Sequence, residues 1–404
     1  MKASVVVGAN FGDCGKGLVT NWLSDDDTTV IRFNGGAQAG HTVQSEDGHR
    51  HVFSHIGAGS FKGAKTWLGE EFVINPVIFR KEMDEYSKLP FGKPDIWYDY
   101  RCRFTTPWDM VINQELEMKR ADSRHGSVGL GFGETIERYE QLGLTLAIDK
   151  VQECKDDFVK FMVDKWVPAR AKDLGIESRI DYIQDTFSNK RFVDKYFEDI
   201  DFFLQNAKSS GVRNPTNDLT FMVGKRSKNI VFEGAQGLLL DQHYGKFPHV
   251  TRSNTGLMNI DKLAKLNHIT SLNMYYVTRC YLTRHGAGPL ENELDQAPVE
   301  HFSDKTNRPN PFQGSLRFAP LNLNKLRERI DRDLRFSNLT KQLNLVITCM
   351  DQIGDDNRIP VIINGEIQEL LNYELMGELM CFFPEFNLMI CSDPTGKTIR
   401  DWFS

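Results

Sequence analysis

The chain has 404 residues, of which 40% are hydrophobic and 26% charged, and its formal net charge is −6. This composition is typical of a globular protein with enough apolar residues for a large core. The negative charge argues against nucleic-acid binding as the main role, because phosphate backbones attract basic surfaces. The seven cysteines include no CxxC pair. That pattern indicates a reducing compartment and excludes a cysteine-based zinc site or a disulfide framework.

The organisation of the chain is predicted to be simple. No apolar stretch approaches the length of a membrane span, so we expect a cytoplasmic protein that does not act at a membrane. A single domain over residues 1–404 is predicted, because no internal repeat, low-complexity tract or clear linker interrupts the chain. Acidic, basic and aromatic side chains alternate at roughly helical spacing beyond residue 150, which predicts a peripheral helical insertion over about 150–225.

The start of the chain has the pattern of a phosphate-binding loop. A short β-branched run, residues 4–7, enters a glycine-dense turn with Asp13 and Lys16, and an amphipathic run follows at helical spacing. A strand, a glycine loop with lysine and a helix together bind phosphate through backbone N–H groups. The usual P-loop has a hydroxyl residue after the lysine as a magnesium ligand, whereas Gly17 stands here. Asp13 is therefore the predicted metal ligand.

Glycine-rich polar loops also follow later apolar runs. The second loop, residues 34–42, contains His41 among glycines and alanines, where it could donate a hydrogen bond to a transferring phosphoryl group. Further predicted strands lead into loops at residues 234–237, 285–289, 348–351 and 392–398. Ligands of an open α/β sheet collect at the carboxyl ends of its strands, so these loops should face one cleft. We predict an α/β fold with a large, mostly parallel central sheet, P-loop-like loops at the strand C-terminal ends and peripheral helical insertions.

Together, the first two loops resemble those of the adenylosuccinate synthetase family. The family pattern G-x-x-x-G-D-E-G-K-G, followed by N/Q-G-G-x-N-A-G-H-T, is matched by residues 8–17 and 34–42, with Cys14 and Gln38 as departures. The similarity continues in the same order through later segments of the chain, which are residues 232–255, 283–294, 348–351 and 392–398. The resemblance therefore covers most of the chain and implies a ligase.

The resemblance implies a reaction in two steps. An aspartate removes the N1 proton of a 6-oxopurine nucleotide, and O6 attacks the γ-phosphate of a nucleoside triphosphate. The α-amino group of L-aspartate then displaces the 6-phosphate. Phosphorylation is needed because the oxygen at C6 is a poor leaving group, and the transfer depends on positioned charge. The implied cofactor is Mg²⁺, and the implied partners are these small-molecule substrates and a second copy of the chain in a homodimer.

Carried over residue by residue, the resemblance assigns roles to individual positions. The implied catalytic residues are Asp13 as the base, His41 at the γ-phosphoryl group and O6, and Gln236 at the purine. The implied triphosphate-binding residues are Gly12, Gly15, Lys16, Gly17, Gly40, Thr42, Asp351 and Pro394. Those implied to bind the purine monophosphate are Asp13, Gln38, Ser127, Arg138, Gln236 and Thr251. The implied aspartate-binding residues are Gly314, Ser315 and Arg317, and the implied metal ligands are Asp13 and the carbonyl of Gly40.

Three departures from the family pattern bear on the substrates. Ser315 stands where the family has an arginine that reaches the ribose 2′-hydroxyl, which predicts relaxed selection for a ribonucleotide. Cys349 replaces a lysine that covers the guanine of GTP, so ATP and dATP become candidate donors beside GTP. The family arginine that crosses to the neighbouring subunit's substrate phosphate has no clean match. Arg138 is the nearest candidate, and the alternative is that it is a solvated helix charge.

These departures favour the phage and archaeal branch of the family, which uses dGMP and makes the succino precursor of 2-aminoadenine. The retained Asp13 favours the conventional enzyme acting on IMP with GTP. The reason is that the branch that uses dGMP often has a smaller residue at this position. A nucleotide-binding switch without ligase activity is a more distant alternative, and it would bind triphosphate without aspartate-dependent turnover. The sequence predicts dGMP as the substrate and leaves IMP and the identity of the donor open.

Overall fold

The structure is a computed structural model that describes residues 1–143, 146–179, 188–210, 227–302, 304, 306–307, 312–354 and 357–402. The strands are β1 (Lys2–Gly8), β2 (Thr28–Arg32), β3 (His41–Gln44), β4 (Arg50–Phe53), β5 (Lys65–Leu68), β6 (Val73–Ile74), β7 (Ile96–Tyr98), β8 (Arg103–Phe104), β9 (Ala207–Ser209), β10 (Asn229–Glu233), β11 (Ser271–Arg279), β12 (Tyr281–Arg284), β13 (Arg317–Asn322), β14 (Thr340–Thr348), β15 (Ile359–Ile363), β16 (Glu366–Leu370), β17 (Asn387–Ile390) and β18 (Arg400–Asp401).

The helices surround these strands. They are α1 (Lys16–Leu23), α2 (Pro76–Tyr86), α3 (Pro107–Arg120), α4 (Phe132–Leu142), α5 (Lys155–Phe161), α6 (Val167–Leu174), α7 (Lys190–Asn206), α8 (Leu257–Leu266), α9 (Leu323–Leu334) and α10 (Asn372–Phe382). Several of them start at clear sequence signals. Thr106 caps α3 and forms a reciprocal pair of hydrogen bonds with Asp109, and Pro107 occupies the first turn, where its missing N–H costs nothing.

The central sheet has ten strands in the order β18-β17-β14-β11-β1-β10-β2-β5-β7-β9. Every neighbouring pair is parallel except β17 and β18. The middle strands are apolar runs because helices cover both faces of the sheet, and β2 is buried along its whole length. The prediction of an α/β fold with a large, mostly parallel sheet is confirmed. A second sheet, in the order β12-β13-β15-β16, lies beside it.

The two largest of four apolar clusters among the described residues pack against the sheet. One lies between the central strands and helices α8, α9 and α10. The other lies under β5 and β7 and is closed by α2, α3 and α7. Because both faces of the sheet are packed, the loops at the carboxyl ends of the strands remain free to bind ligands.

The predicted helical insertion is observed in part. Helices α5, α6 and α7 fall inside the predicted range of 150–225, and a π-helical turn, Met162–Trp166, joins α5 to α6. Residues 180–187 and 211–226 lie outside the described residues. The extent of the insertion and the single-domain organisation therefore stay predictions.

Candidate functional site

The strand-end loops line one cavity of about 900 Å³. Most of the predicted site residues contribute to its wall: Gly12, Asp13, Gly15, Lys16, Gly17, Gln38, Gly40, His41, Thr42, Ser127, Gln236, Thr251, Asp351 and Pro394. The predicted residues that do not line it are Arg138, Gly314, Ser315 and Arg317. The topology explains the convergence, because β1, β2, β10, β11, β14 and β17 are parallel and end at the same edge of the sheet.

The first loop has the conformation of a phosphate-binding turn. Gly12 and Gly15 have φ angles of 118° and 85°, and Gly15 leads directly into α1 without a side-chain cap. The N–H groups of the first turn of α1 are thus free to bind an anion. Lys16 is only 3% exposed, and its ammonium has Cys14 Sγ at 3.8 Å as its hydrogen-bond acceptor. A buried ammonium with so weak a partner suits an anionic ligand.

The structure also explains why a glycine stands where a P-loop has a hydroxyl residue. A Cβ atom at Gly17 would lie 3.0 Å from the Cβ of His41 and 3.1 Å from the carbonyl oxygen of Thr42. The second glycine loop therefore packs so closely on α1 that a side chain at this position would require His41 or Thr42 to shift. This packing brings His41 to the phosphate loop, and the metal ligand has to come from another residue.

His41 forms a buried pair with Glu233, a residue that sequence analysis did not select. His41 Nδ1 lies 2.6 Å from Glu233 Oε1, and the second carboxylate oxygen accepts the N–H of Ala58 at 3.1 Å. Burial lowers the pKa of His41 to about 4, although the carboxylate acts in the opposite direction. The imidazole is therefore neutral near pH 7 and donates Nδ1–H to Glu233. Nε2 is buried and has no hydrogen-bond partner within the part of the chain that the structure describes.

Asp13 and Gly40 present oxygen atoms that suit magnesium. The Asp13 side chain is 32% exposed, and both residues line the cavity. The described residues contain no cluster of three or more histidine, cysteine or acidic side chains arranged to hold a metal. Mg²⁺ does not need such a cluster, because it commonly binds one or two carboxylates together with substrate phosphates. The residues present therefore fit a magnesium ion that is shared with a bound triphosphate.

Two amide side chains in the cavity wall lack protein partners. Both polar atoms of the Gln38 side chain and Oε1 of Gln236 are buried without a hydrogen bond to any described residue. Gln236 also has a φ of 55°, which is uncommon outside glycine. Each unpaired buried polar group costs about 1–3 kcal/mol, so such groups are normally satisfied by a ligand or by water. Their position supports the predicted contacts with a purine nucleotide.

The loop before α4 presents a second set of hydrogen-bonding groups to the cavity. Ser127 lines the cavity, donates its hydroxyl to Asn113 Oδ1 at 2.8 Å and accepts the N–H of Gly129 at 3.2 Å. Helix α4 begins after Gly131, which has a φ of 74° and provides no side-chain cap. Its first-turn N–H groups therefore lie open beside Ser127, as expected for binding a phosphate.

Arg138 is not part of the site. It has no exposed surface, and its guanidinium donates to both carboxylate oxygens of Asp109, at 3.0 and 2.9 Å, and to the carbonyl of Phe104 at 2.8 Å. An arginine held in this buried pair cannot reach a neighbouring subunit. Both predictions for Arg138 are therefore wrong: it is neither a phosphate-binding residue nor a solvated helix charge.

The predicted aspartate-binding residues lie outside the cavity wall. Gly314 and Ser315 are exposed, and residues 308–311 just before them lie outside the described residues. Arg317 donates Nε to Glu293 Oε1 at 2.7 Å and Nη1 to the carbonyl oxygens of Gly286 and Gly288. Binding a substrate carboxylate at Arg317 would require it to replace Glu293, so this assignment stays a prediction.

The ends of β14 and β17 form the predicted donor-base pocket. Cys349, Asp351, Cys391 and Pro394 line this part of the cavity, and Cys349 has a φ of 63°. Desolvation, helped by the negative charge of Asp393, raises the pKa of Asp351. The pocket therefore has two carboxyl groups, Asp351 and Asp393, and two thiols. Cys349 offers no long aliphatic stem to cover a purine.

A phosphate loop, a buried histidine–glutamate pair and unpaired amides around one cavity define a nucleotide-dependent enzyme. The family model described as adenylosuccinate synthetase matches residues 5–309, and the chain belongs to this family of carbon–nitrogen ligases. The adenylosuccinate synthetase of Clostridium perfringens is 28% identical over 389 residues, which cover 95% of this chain and 84% of the relative. That of Picrophilus torridus is 29% identical over 377 residues, or 91% and 82% of the two chains.

Two solved structures share the fold. The fully ligated adenylosuccinate synthetase from Plasmodium falciparum aligns with a TM-score of 0.72 and 16% identity over 98% of this chain and 99% of that one. The second is cyanophage S-2L succinoaminodeoxyadenylate synthetase, bound to dGMP and to dATP as energy donor. It aligns with a TM-score of 0.62 and 14% identity over 99% of this chain and 95% of that one. Separately, no helix among the described residues is both long and apolar enough to cross a membrane.

Proposed function

We propose that the protein joins L-aspartate to C6 of dGMP in a reaction driven by a nucleoside triphosphate. The product would be N6-succino-2-amino-2′-deoxyadenylate. Membership of the ligase family supports the reaction type. The proposal of a deoxynucleotide substrate rests on one observation. Ser315, which is exposed, stands where the family has a ribose-binding arginine.

The proposed chemistry follows from the residues around the first two loops. Asp13 takes the N1 proton of the purine, which makes O6 a stronger nucleophile. Lys16 and the N-terminus of α1 bind the phosphates of the triphosphate, and His41 Nε2 is the ring atom left to meet the phosphoryl group in transfer. Glu233 fixes the ring of His41 in that orientation. Gln236 contacts the purine through an amide that has no protein partner for Oε1 among the described residues.

Magnesium has a defined place in this proposal. The carboxylate of Asp13 and the carbonyl oxygen of Gly40 would hold Mg²⁺ together with oxygens of the triphosphate. When bound, the ion supplies positive charge that offsets the negative charge of the phosphates. The protein's own contribution is to bring the triphosphate and O6 together and to keep Asp13 close to N1.

Selection for the sugar should be weak because none of the described residues that flank Ser315 offers a free cation. Ser315 is exposed, and a Cβ atom on its neighbour Gly314 would meet nothing within 4 Å. Arg317 is held by Glu293 and two backbone carbonyls. A site that hydrogen-bonds a ribose hydroxyl rejects the deoxy analogue because a buried donor is left unpaired, and a site without that donor has no such penalty.

A second candidate is the conventional reaction with IMP and GTP. The observation that favours it is the retained carboxylate of Asp13 in the cavity. A base beside N1 also lies near C2, where IMP has only hydrogen and dGMP has an amino group that must be accommodated. The structural likenesses support neither substrate over the other, because at 16% and 14% identity they reflect the fold alone. The homodimeric state stays a prediction.

Product identification tests this proposal directly. The protein is incubated with Mg²⁺ and L-aspartate against IMP, GMP and dGMP, each with ATP or GTP, and the products are identified by mass. We expect phosphate release that depends on L-aspartate and a succino product from dGMP. A succino product from IMP alone would establish the conventional reaction instead. Triphosphate hydrolysis at the same rate without L-aspartate would indicate a nucleotide switch.

A further inference from the structure

A closed chain of polar contacts surrounds Asp13. Arg279 donates Nε to the backbone carbonyl of Asp13 and Nη2 to Asp304 Oδ2 at 2.9 Å. Asn307 donates Nδ2 to the same Asp304 oxygen at 2.7 Å. The chain then continues to His285, whose Nε2 lies 2.8 Å from Asn307 Oδ1 and 3.3 Å from Asp13 Oδ2. Both the backbone and the carboxylate of Asp13 are thus contacted by one connected set of side chains.

The contacts of Asn307 determine which nitrogen of His285 carries hydrogen. Asp304 accepts from both the side-chain and the backbone N–H of Asn307, at 2.7 and 2.9 Å. The amide group of Asn307 must therefore turn Oδ1, an acceptor, towards His285. Nε2 of His285 thus donates to Asn307 Oδ1 and has to be a protonated nitrogen, and Asp13 Oδ2, a second acceptor, lies 3.3 Å from it. Nδ1 is buried and has no hydrogen-bond partner among the described residues, so the contacts of the ring act through Nε2.

The two carboxylate oxygens of Asp13 have different surroundings. Oδ2 lies 3.3 Å from Nε2 of His285, at ion-pair distance, whereas no described residue contacts Oδ1 through a hydrogen bond. Asp13 also has a backbone φ of 50°, a conformation that an aspartate keeps only when its surroundings hold it. Arg279 supplies that restraint on the backbone, and His285 supplies it on the side chain.

We propose that His285 is a positioning residue for Asp13: its Nε2 edge, 3.3 Å from Oδ2, orients the carboxylate so that Oδ1 faces the N1 proton of the purine. This inference rests on the proposed role of Asp13 as the base. His285 lies on the wall of the cavity, in the loop between β12 and β13, and none of the roles assigned above includes it. Correct orientation matters because a displacement of about 1 Å can cost on the order of 10²-fold in rate.

The kinetic test compares two substitutions of His285. His285→Leu removes the N–H donor, and His285→Gln keeps an N–H donor on a side chain of similar length. We expect His285→Leu to lower kcat about tenfold or more with little change in KM for the purine nucleotide, and His285→Gln to recover most of that loss. His301→Gln is the matched control, because that histidine is 63% exposed and does not line the cavity. Equal kcat in His285→Leu and the control would overturn the proposal.

A double-mutant cycle tests the connection through Asn307. Asn307→Leu leaves His285 without the acceptor that fixes its tautomer, so it should also lower kcat. The double variant should lose less than the product of the two separate losses, because both substitutions break one chain of contacts. Fully independent effects would show that His285 does not act through this chain.

A spectroscopic readout separates this proposal from the proposed function. Nitrogen-15 spectra of histidine-labelled protein, with the signals of His285 assigned by their loss in His285→Gln, should show hydrogen on Nε2 in the free enzyme. Hydrogen on Nδ1 alone would contradict the proposed orientation. If the parent protein shows no aspartate-dependent turnover, the proposed function fails, while the tautomer still reports whether the contacts around Asp13 are as described.

Discussion

His41 Nδ1 lies 2.6 Å from Glu233 Oε1, and the two side chains are 5% and 0% exposed. The pair joins the second glycine loop to the end of β10, so the imidazole is anchored on a central strand of the sheet. A ring held in this way needs no rearrangement when charge develops on the phosphoryl group, and such preorganised groups are usually the largest contributors to catalysis.

Replacing His41 by asparagine should lower kcat and kcat/KM together, by about 10²–10³-fold, because the contact strengthens only in the transition state. Glu233→Gln is the companion variant. Glutamine keeps the shape of the side chain and an acceptor for Nδ1–H of His41. Glu233→Gln should therefore lower kcat and kcat/KM less than His41→Asn does. Steady-state kinetics with saturating L-aspartate measure both. If His41→Asn raised only KM, the histidine would be a ground-state binding residue.

The stability of the unliganded protein should depend on His41 in acid. Burial lowers the pKa of His41 from 6.5 to about 4, so between these values the unfolded state binds more protons. The contribution of His41 to stability is therefore complete above pH 6.5 and is lost as the pH falls towards 4, by about 3 kcal/mol at most.

Denaturant unfolding of the parent protein and of His41→Asn at several pH values measures this effect. Burial raises the pKa of Asp333 from 3.8 to about 6, so its contribution changes in the opposite direction over much of the same range. The difference between the two proteins, and not the parent curve alone, should therefore shrink as the pH falls from 6.5 to 4. A difference that stays constant with pH would show that His41 keeps an ordinary pKa.

Asp13→Ala should abolish product formation while leaving triphosphate binding largely in place. No other carboxylate of the first loop can remove the N1 proton, and loss of a general base typically costs about 10²–10⁴-fold. Product formation by mass, together with titration of a fluorescent triphosphate analogue, measures both properties. Activity within about tenfold of the parent would limit Asp13 to a role in the loop's conformation.

Cys349→Lys should shift the donor preference towards GTP. The lysine stem would lie over the purine beside Asp351, which can accept the N1 and N2 hydrogens of guanine. Turnover with ATP and GTP at equal concentrations measures the ratio in parent and variant. A parent enzyme that already prefers GTP by a wide margin would remove the basis for this prediction.

The fold and the loops of the site could be predicted from sequence because their signals are local. A buried strand followed by a glycine loop is contained within about a dozen residues, and parallel strands bring such loops to one edge of the sheet. This signal marks Asp13, Lys16 and His41, whereas Gln236 is assigned through the family resemblance, and all four line the cavity.

The partners of these residues could not be predicted, because they are distant in sequence. Glu233 is 192 positions from His41, and only its place at the end of a buried strand could have marked it. Arg138 was misassigned because its partner Asp109 lies on another helix. His285 stood in a recognised glycine loop, but its contact with Asp13 depends on how β11 and β12 place that loop beside the first.

Competition between dGMP and GMP tests the central claim most directly. Equal concentrations of both nucleotides are supplied with L-aspartate, Mg²⁺ and ATP, and the two succino products are quantified by mass. With Ser315 exposed and Arg317 held by Glu293, we predict that dGMP is used at least as well as GMP, and that Ser315→Arg shifts the ratio towards the ribonucleotide. A strong preference of the parent protein for GMP would contradict the assignment of dGMP as the substrate.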